Sequence, residues 1–130
     1  VAGLSGRVVR SLGKPKVCGK VVYGGSRHLA QVVVSALKYD ERMRAAVNLR
    51  ASNSILRALE KLGLKAVEVD VKESERGCPI ADFISERGVI GRVYYHAGAH
   101  GVEPSIVVLA STPRELVDTL LKVASLVTEG

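Results

Sequence analysis

The stretch from Lys20 to Leu37 limits the fold more than any other. A β-branched run, Lys20 to Tyr23, stops at Gly24-Gly25, and an apolar helical pattern begins straight after Ser26. Leu29, Val32, Val33, Ala36 and Leu37 recur at i, i+3, i+4, i+7 and i+8, one core-facing stripe on a helix from about Ser26 to Leu37. Glycines free the backbone for a tight turn, and Ser26 can cap the first amides of the helix. Unpaired N–H donors at that helix start, with Arg27 and His28 beside them, make a ready site for a phosphate or carboxylate. The plainer alternative is a capped strand-to-helix turn with solvated charges.

The same alternation continues along the chain. Arg7 to Ser11 and Lys16 to Tyr23 are strand-like, joined by Leu12-Gly13-Lys14-Pro15 as a hairpin turn, while residues 1–6 read as a linker or tail. Arg44 to Arg50 is a short buried strand, and Ala51 to Ser54 offers caps for a helix from Ile55 to Leu62, stopped by Gly63. Lys65 to Val71 alternates as a strand, Glu73 to Gly77 is a charged loop, and Pro79 opens a helix to about Arg87. Arg92 to Tyr95 and Ser105 to Leu109 are strands flanking a Gly/Ala/His loop. Thr112-Pro113-Arg114-Glu115 is a capping box that starts the last helix, with Leu116, Leu120, Val123, Ala124 and Val127 on its buried face. Hairpin pairs at both ends argue against an all-parallel sheet, so a mixed sheet covered by helices on both faces is the simplest arrangement. Val32, Val33, Val47, Leu59, Leu120 and Val123 are the expected core.

At 130 residues the chain makes one domain, over residues 7–128, with a real core. No apolar run approaches a membrane span and no signal-peptide segment is visible, so a cytoplasmic protein with no membrane partner is expected. Cys18 and Cys78 lack metal-ligand spacing and read as free thiols. The net charge of +6 favours anionic partners, but it reads as spread along the chain. Zinc-finger spacing, basic heptads and RNP-like aromatic strands are absent, and a small anionic ligand fits as well as nucleic acid.

Two strand ends carry similar equipment: Gly24, Gly25, Ser26, Arg27 and His28 at one, Asn48, Arg50 and Ser52 at the other. Ligands of open α/β sheets bind beyond strand ends, and two arginine-bearing helix starts suit two phosphates or one diphosphate. If they share one site, they must face a common cleft. For Arg50 the alternative is a surface ion pair with Asp40 or Glu41. His96 and His100 have i, i+4 spacing, but the small residues around them argue against a helix, so they read as loop histidines and no metal site is assigned. Cys78 lies near a helix start, which could lower its pKa, but no base partner is identifiable and no nucleophile is assigned.

Gly24 to Ala30, Tyr39-Asp40, Ala45 to Arg50, Lys61 to Leu64 and Gly101 to Pro104 resemble, in order, the motifs of ThiN-type thiamine-phosphate synthase domains, over about Gly6 to Val127. The resemblance implies a three-layer α/β/α fold with a mixed, largely antiparallel sheet, similar to aldolases of the AraD kind. It implies a site for thiamine phosphate or its phosphorylated precursors, to which Gly101 and Glu103 are added, with His28 and Arg50 the leading candidates for catalytic roles. Active members join hydroxymethylpyrimidine diphosphate to thiazole phosphate and release pyrophosphate; Mg2+ would accompany a diphosphate substrate. Such domains usually follow a pyrimidine kinase or a helix-turn-helix DNA-binding domain, and a homodimer is compatible. Three departures stand out: Val71 replaces an arginine, the loop at Ser74 to Pro79 is short and the chain has no Trp, and His96-Ala97-Gly98 replaces Asp-Arg-Gly. They tilt the expectation toward ligand sensing without turnover, with an active synthase as the alternative.

Overall fold

The structure, a computed structural model, describes residues 2–4, 7–11, 14–23, 25–71, 78–98 and 103–129. The strands are β1 (Ala2–Leu4), β2 (Arg7–Ser11), β3 (Lys14–Cys18), β4 (Val21–Tyr23), β5 (Ala45–Arg50), β6 (Ala66–Glu68), β7 (Val93–His96) and β8 (Ser105–Ala110). The helices are α1 (Arg27–Leu37), α2 (Asn53–Lys61), α3 (Pro79–Arg87) and α4 (Pro113–Glu129). The main sheet runs β5-β8-β7-β6, antiparallel at β5–β8 and β8–β7 and parallel at β6–β7. It is the mixed, largely antiparallel sheet expected.

Side chains on a strand alternate between faces, and here each face meets its own pair of helices. Tyr94, Val107 and Leu109 point toward α1 and α3, packing with Val32, Ala36, Ile80, Ala81 and Ile84. Val93, Ile106, Val108 and Ala110 point the other way, onto Ala58 and Leu59 of α2 and Leu116 and Val123 of α4. The result is three layers, α/β/α. Of the expected core, Val32, Val33, Leu59 and Val123 are buried, whereas Val47 and Leu120 are half-buried. Val47 sits on an edge strand, where cover comes from one side only.

The sheet needs polar support as well as apolar burial. The Tyr94 hydroxyl is buried and accepts from the backbone N–H groups of Ile90 (3.1 Å) and Gly91 (3.3 Å), holding the approach to β7. Ser85 and Ser35 hydroxyls bond at 3.0 Å between α3 and α1. Thr112 Oγ1 accepts from Glu115 N–H at 3.1 Å, as a capping box requires, and Glu115 also pairs with Arg92.

The amino-terminal segment differs from its sequence reading. Residues 2–4, expected within a linker, form β1 and pair antiparallel with β4. The expected strand from Lys16 to Tyr23 divides into β3 and β4 at Gly19, whose φ of 116° an L side chain rarely adopts. Ser11 pairs with Lys14, so the hairpin connection shrinks to residues 12–13, which lie outside the described residues, and Pro15 sits within β3. That is tolerable because both strands of a two-stranded ribbon are edges. The α2 helix begins at Asn53, two residues earlier than Ile55, and β6 is shorter than the Lys65 to Val71 alternation. The charged loop at 73–77 lies outside the described residues.

Candidate functional site

Alternation along three strands builds one wall. Ala45, Val47 and Leu49 of β5 pack on the α2/α4 side, so Asn48 and Arg50, of the opposite parity, fall on the α1/α3 side. By the same parity His96 follows Tyr94 on β7, and Ser105 precedes Val107 on β8. The register aligns them: Ser105 pairs with Arg50 on one flank and with His96 on the other. With strands about 4.8 Å apart, Arg50 and His96 stand roughly 10 Å from each other at their Cα atoms. β5 is an edge strand and β7 an interior one, so Arg50 is exposed while His96 is only 4% exposed.

This wall, the start of α1 and the start of α3 enclose a cleft of about 550 Å3, within the range of small-molecule sites. Its exposed rim carries His28, Asn48, Arg50, Glu103 and Pro104; its buried floor is Val32, Cys78, Pro79, Ile80, His96 and Val107. The two strand-end turns singled out in the sequence therefore do open on one cleft. Ser26, His28, Asn48, Arg50 and Glu103 line it. Gly25, Arg27 and Ser52 are not among its lining residues. Gly24 and Gly101 lie outside the described residues, as does His100.

Of the two serines, each expected both at a helix cap and at the ligand, only Ser52 caps with its side chain. Ser26 holds the N-cap position of α1 in extended conformation (φ −138°, ψ 104°) without a side-chain cap bond. Its hydroxyl and the first amides of α1 stay available to a ligand. Ser52, one of the caps expected for α2, accepts from Ile55 N–H at 3.5 Å and does not line the cleft. The suggested ion pair of Arg50 with Asp40 does not form: Asp40 pairs with Arg42 at 3.1 Å, which pulls the Asp40 carboxyl below its usual range.

Two floor residues were underrated in the sequence. His96 is not a loop histidine but the last residue of β7, and parity with Tyr94 was the signal that could have placed it. Its Nδ1 is buried without a hydrogen-bond partner among the described residues, and burial pushes the imidazole pKa down, favouring the neutral ring. Cys78 is the N-cap residue of α3, where a helix start was expected to lower its pKa. Burial outweighs that and pushes the thiol up, so the side chain stays protonated and donates to the His28 carbonyl oxygen at 3.8 Å. Among the described residues no cluster of three His, Cys, Asp or Glu side chains could hold a metal ion. No helix among them is long and apolar enough to cross a membrane.

The family model for thiamine-phosphate synthase ThiN matches residues 1–122. The chain belongs to the ThiN family. This ThiN domain is 29% identical over 124 residues to the bifunctional thiamine biosynthesis protein ThiDN of Methanocaldococcus jannaschii, covering 90% of the domain but only 29% of that protein. It is 26% identical to thiamine-phosphate synthase ThiN of Methanothermobacter thermautotrophicus, covering 95% of the domain and 70% of that protein. Among solved structures, the C-terminal domain of a phosphomethylpyrimidine kinase superposes with a TM-score of 0.78 at 28% identity, over 94% of this domain and 74% of that chain. A second C-terminal domain superposes at 0.82 with 25% identity, over 98% and 74%. The family resemblance read in the sequence is thus borne out by the family model, and both curated relatives carry names in thiamine biosynthesis.

Proposed function

We propose that the domain joins hydroxymethylpyrimidine diphosphate to thiazole phosphate and releases pyrophosphate. The observation that carries this is the convergence of His28, Asn48 and Arg50 on one rim, with Ser26 beside them, above a largely apolar floor. Two phosphorylated substrates need cationic and hydrogen-bonding groups at the mouth and a dry surface for their rings beneath, and the cleft has that polarity. In the reaction the thiazole nitrogen donates its lone pair to the pyrimidine methylene carbon. The bond from that carbon to the diphosphate oxygen breaks, and the diphosphate leaves with the electron pair. Charge grows on the leaving group as the bond opens, which is where the Arg50 guanidinium and the α1 amides act. His28 stands at the same rim, within reach of a departing phosphate. Among the described lining residues Glu103 is the one carboxylate; it would be the residue to help hold an Mg2+ ion arriving with the diphosphate, and such an ion would offset the diphosphate's charge.

A second role, ligand sensing without turnover, is favoured by Val71 in place of an arginine, by the short loop at Ser74 to Pro79 with no Trp in the chain, and by His96-Ala97-Gly98 in place of Asp-Arg-Gly. Val71 is not among the cleft's lining residues, whereas Cys78 and Pro79 at the end of the shortened loop and His96 of the His96-Ala97-Gly98 replacement do line it. Two relatives that carry synthase or biosynthesis names match nearly the whole domain, and so the synthase is preferred. In the cytoplasm the domain would act behind a kinase that supplies the pyrimidine diphosphate in the same chain.

The deciding experiment mixes the purified chain with both substrates and follows pyrophosphate and thiamine phosphate. Equal release of the two supports the synthase. Micromolar binding of thiamine phosphate without pyrophosphate release gives the role to sensing, and no binding of any of the three ligands refutes both.

A further inference from the structure

We infer that His96 reads the polar edge of the aminopyrimidine ring and sets the domain's choice of that ring at the cleft floor. This role rests on thiamine phosphate or its precursors being the ligands. His96 is 4% exposed and lines the cleft, yet its Nδ1 has no hydrogen-bond partner among the described residues. Leaving a buried polar atom unpaired is unfavourable, and such atoms are uncommon in folded chains. A ligand that supplies the missing partner removes that penalty on binding.

The surroundings narrow the ligand's chemistry. The other floor side chains are Val32, Ile80, Val107 and Pro79, with only the protonated Cys78 thiol for polarity. That floor accepts a flat, uncharged ring. Burial keeps the imidazole neutral, with one nitrogen donating and one accepting, so it selects for hydrogen bonding rather than for charge. Of the two rings in the reaction, only the aminopyrimidine can use it without harm. Its exocyclic amine donates and its ring nitrogens accept. The thiazole nitrogen must keep its lone pair free for attack, and a hydrogen bond there would quench it. The register agrees, because a ring at His96 leaves roughly 10 Å at the Cα level to Arg50 for a phosphate-bearing arm.

The test compares calorimetric binding of thiamine phosphate and oxythiamine phosphate, which differ only in the group at the pyrimidine 4-position. The full chain, His96→Phe and His96→Gln are each titrated. The wild type is expected to prefer thiamine phosphate by 10-fold or more. His96→Phe, which keeps a ring but no hydrogen bond, should bring the two within about 3-fold, by losing the amine ligand rather than gaining the other. His96→Gln should restore part of the preference. In steady-state assays His96→Phe should raise KM for the pyrimidine diphosphate and leave KM for thiazole phosphate unchanged. Preference retained in a folded His96→Phe overturns the assignment while the synthase stands. Absence of thiamine phosphate binding in the wild type overturns both.

Discussion

Replacing Tyr94 by Phe should cost about 2 kcal/mol of stability, and the figure follows from two amides. The Tyr94 hydroxyl accepts from Ile90 N–H at 3.1 Å and Gly91 N–H at 3.3 Å. A buried donor stripped of its acceptor costs about 1–3 kcal/mol. Ile90 is 58% exposed, so water reaches that segment and each amide falls at the low end of the range. The phenyl ring still fills the same space and keeps its edge contact with Phe83, so no cavity term is added. Unfolding entropy of ~2.1 cal/mol/K per residue makes the domain's total ~0.27 kcal/mol/K, which converts the loss to about 7 °C in Tm. Urea titration should show a lower midpoint with an unchanged m value. The pH profile adds a signed check. Burial raises the Tyr94 pKa above 10.0, against the opposing effect of the two amide bonds. A raised folded-state pKa means stability that is complete below the unfolded value near 10 and is lost as pH rises through the folded one. The gap between wild type and Tyr94→Phe should therefore narrow above pH 10. A loss under about 0.5 kcal/mol, or a gap that widens in alkali, would refute the reasoning.

Gly88 ends α3 at φ 81° and ψ −176°, and a Cβ there would stand 3.3 Å from Tyr39 Cδ1, so Gly88→Ala should lower stability by about 1–3 kcal/mol in thermal melts. Burial lowers the His96 pKa below 6.5, so the stability it contributes is complete above that value and lost as pH falls toward the folded-state pKa. Melts at pH 7 and pH 5 should show a smaller acid loss in His96→Phe than in the wild type. Arg50→Ala should weaken thiamine phosphate binding by about 1.5–3 kcal/mol, whereas Arg87→Ala, at the exposed end of α3 over the Phe83 ring, should leave calorimetric affinity unchanged.

Layers and helices were readable because their signals are local: the stripe at Leu29 to Leu37, the capping box at Thr112 to Glu115, and the short apolar runs of β5 and β8. The rim was readable for a related reason, since Ser26, His28, Asn48 and Arg50 sit beside helix starts that announce themselves. The floor was not, because Cys78 and His96 are brought there by strand pairing and helix packing across long separations. Burial then reverses the effect of the helix start on Cys78, which no local pattern contains. Charge was misjudged for a simpler reason. Arg7, Arg10, Lys14, Lys16 and Lys20 give residues 1–20 five cations with no acid, so the excess is concentrated rather than dispersed.

The place of β8 has a consequence for assembly. It lies between β5 and β7, yet it comes after both in sequence order, and Ser105 is the residue that joins Arg50 to His96. A nascent chain that has passed Arg50 must lengthen by 55 residues, 105 − 50, before that row can close. No partly folded form missing β8 can hold the cleft, so ligand affinity belongs to the complete sheet alone. A ligand confined in this way stabilises by the full mass-action amount, about 2.7 kcal/mol at a hundredfold excess over Kd. For a chain of this size that amounts to ~10 °C in Tm, which makes thermal shift a direct reading of which phosphorylated heterocycles the cleft accepts.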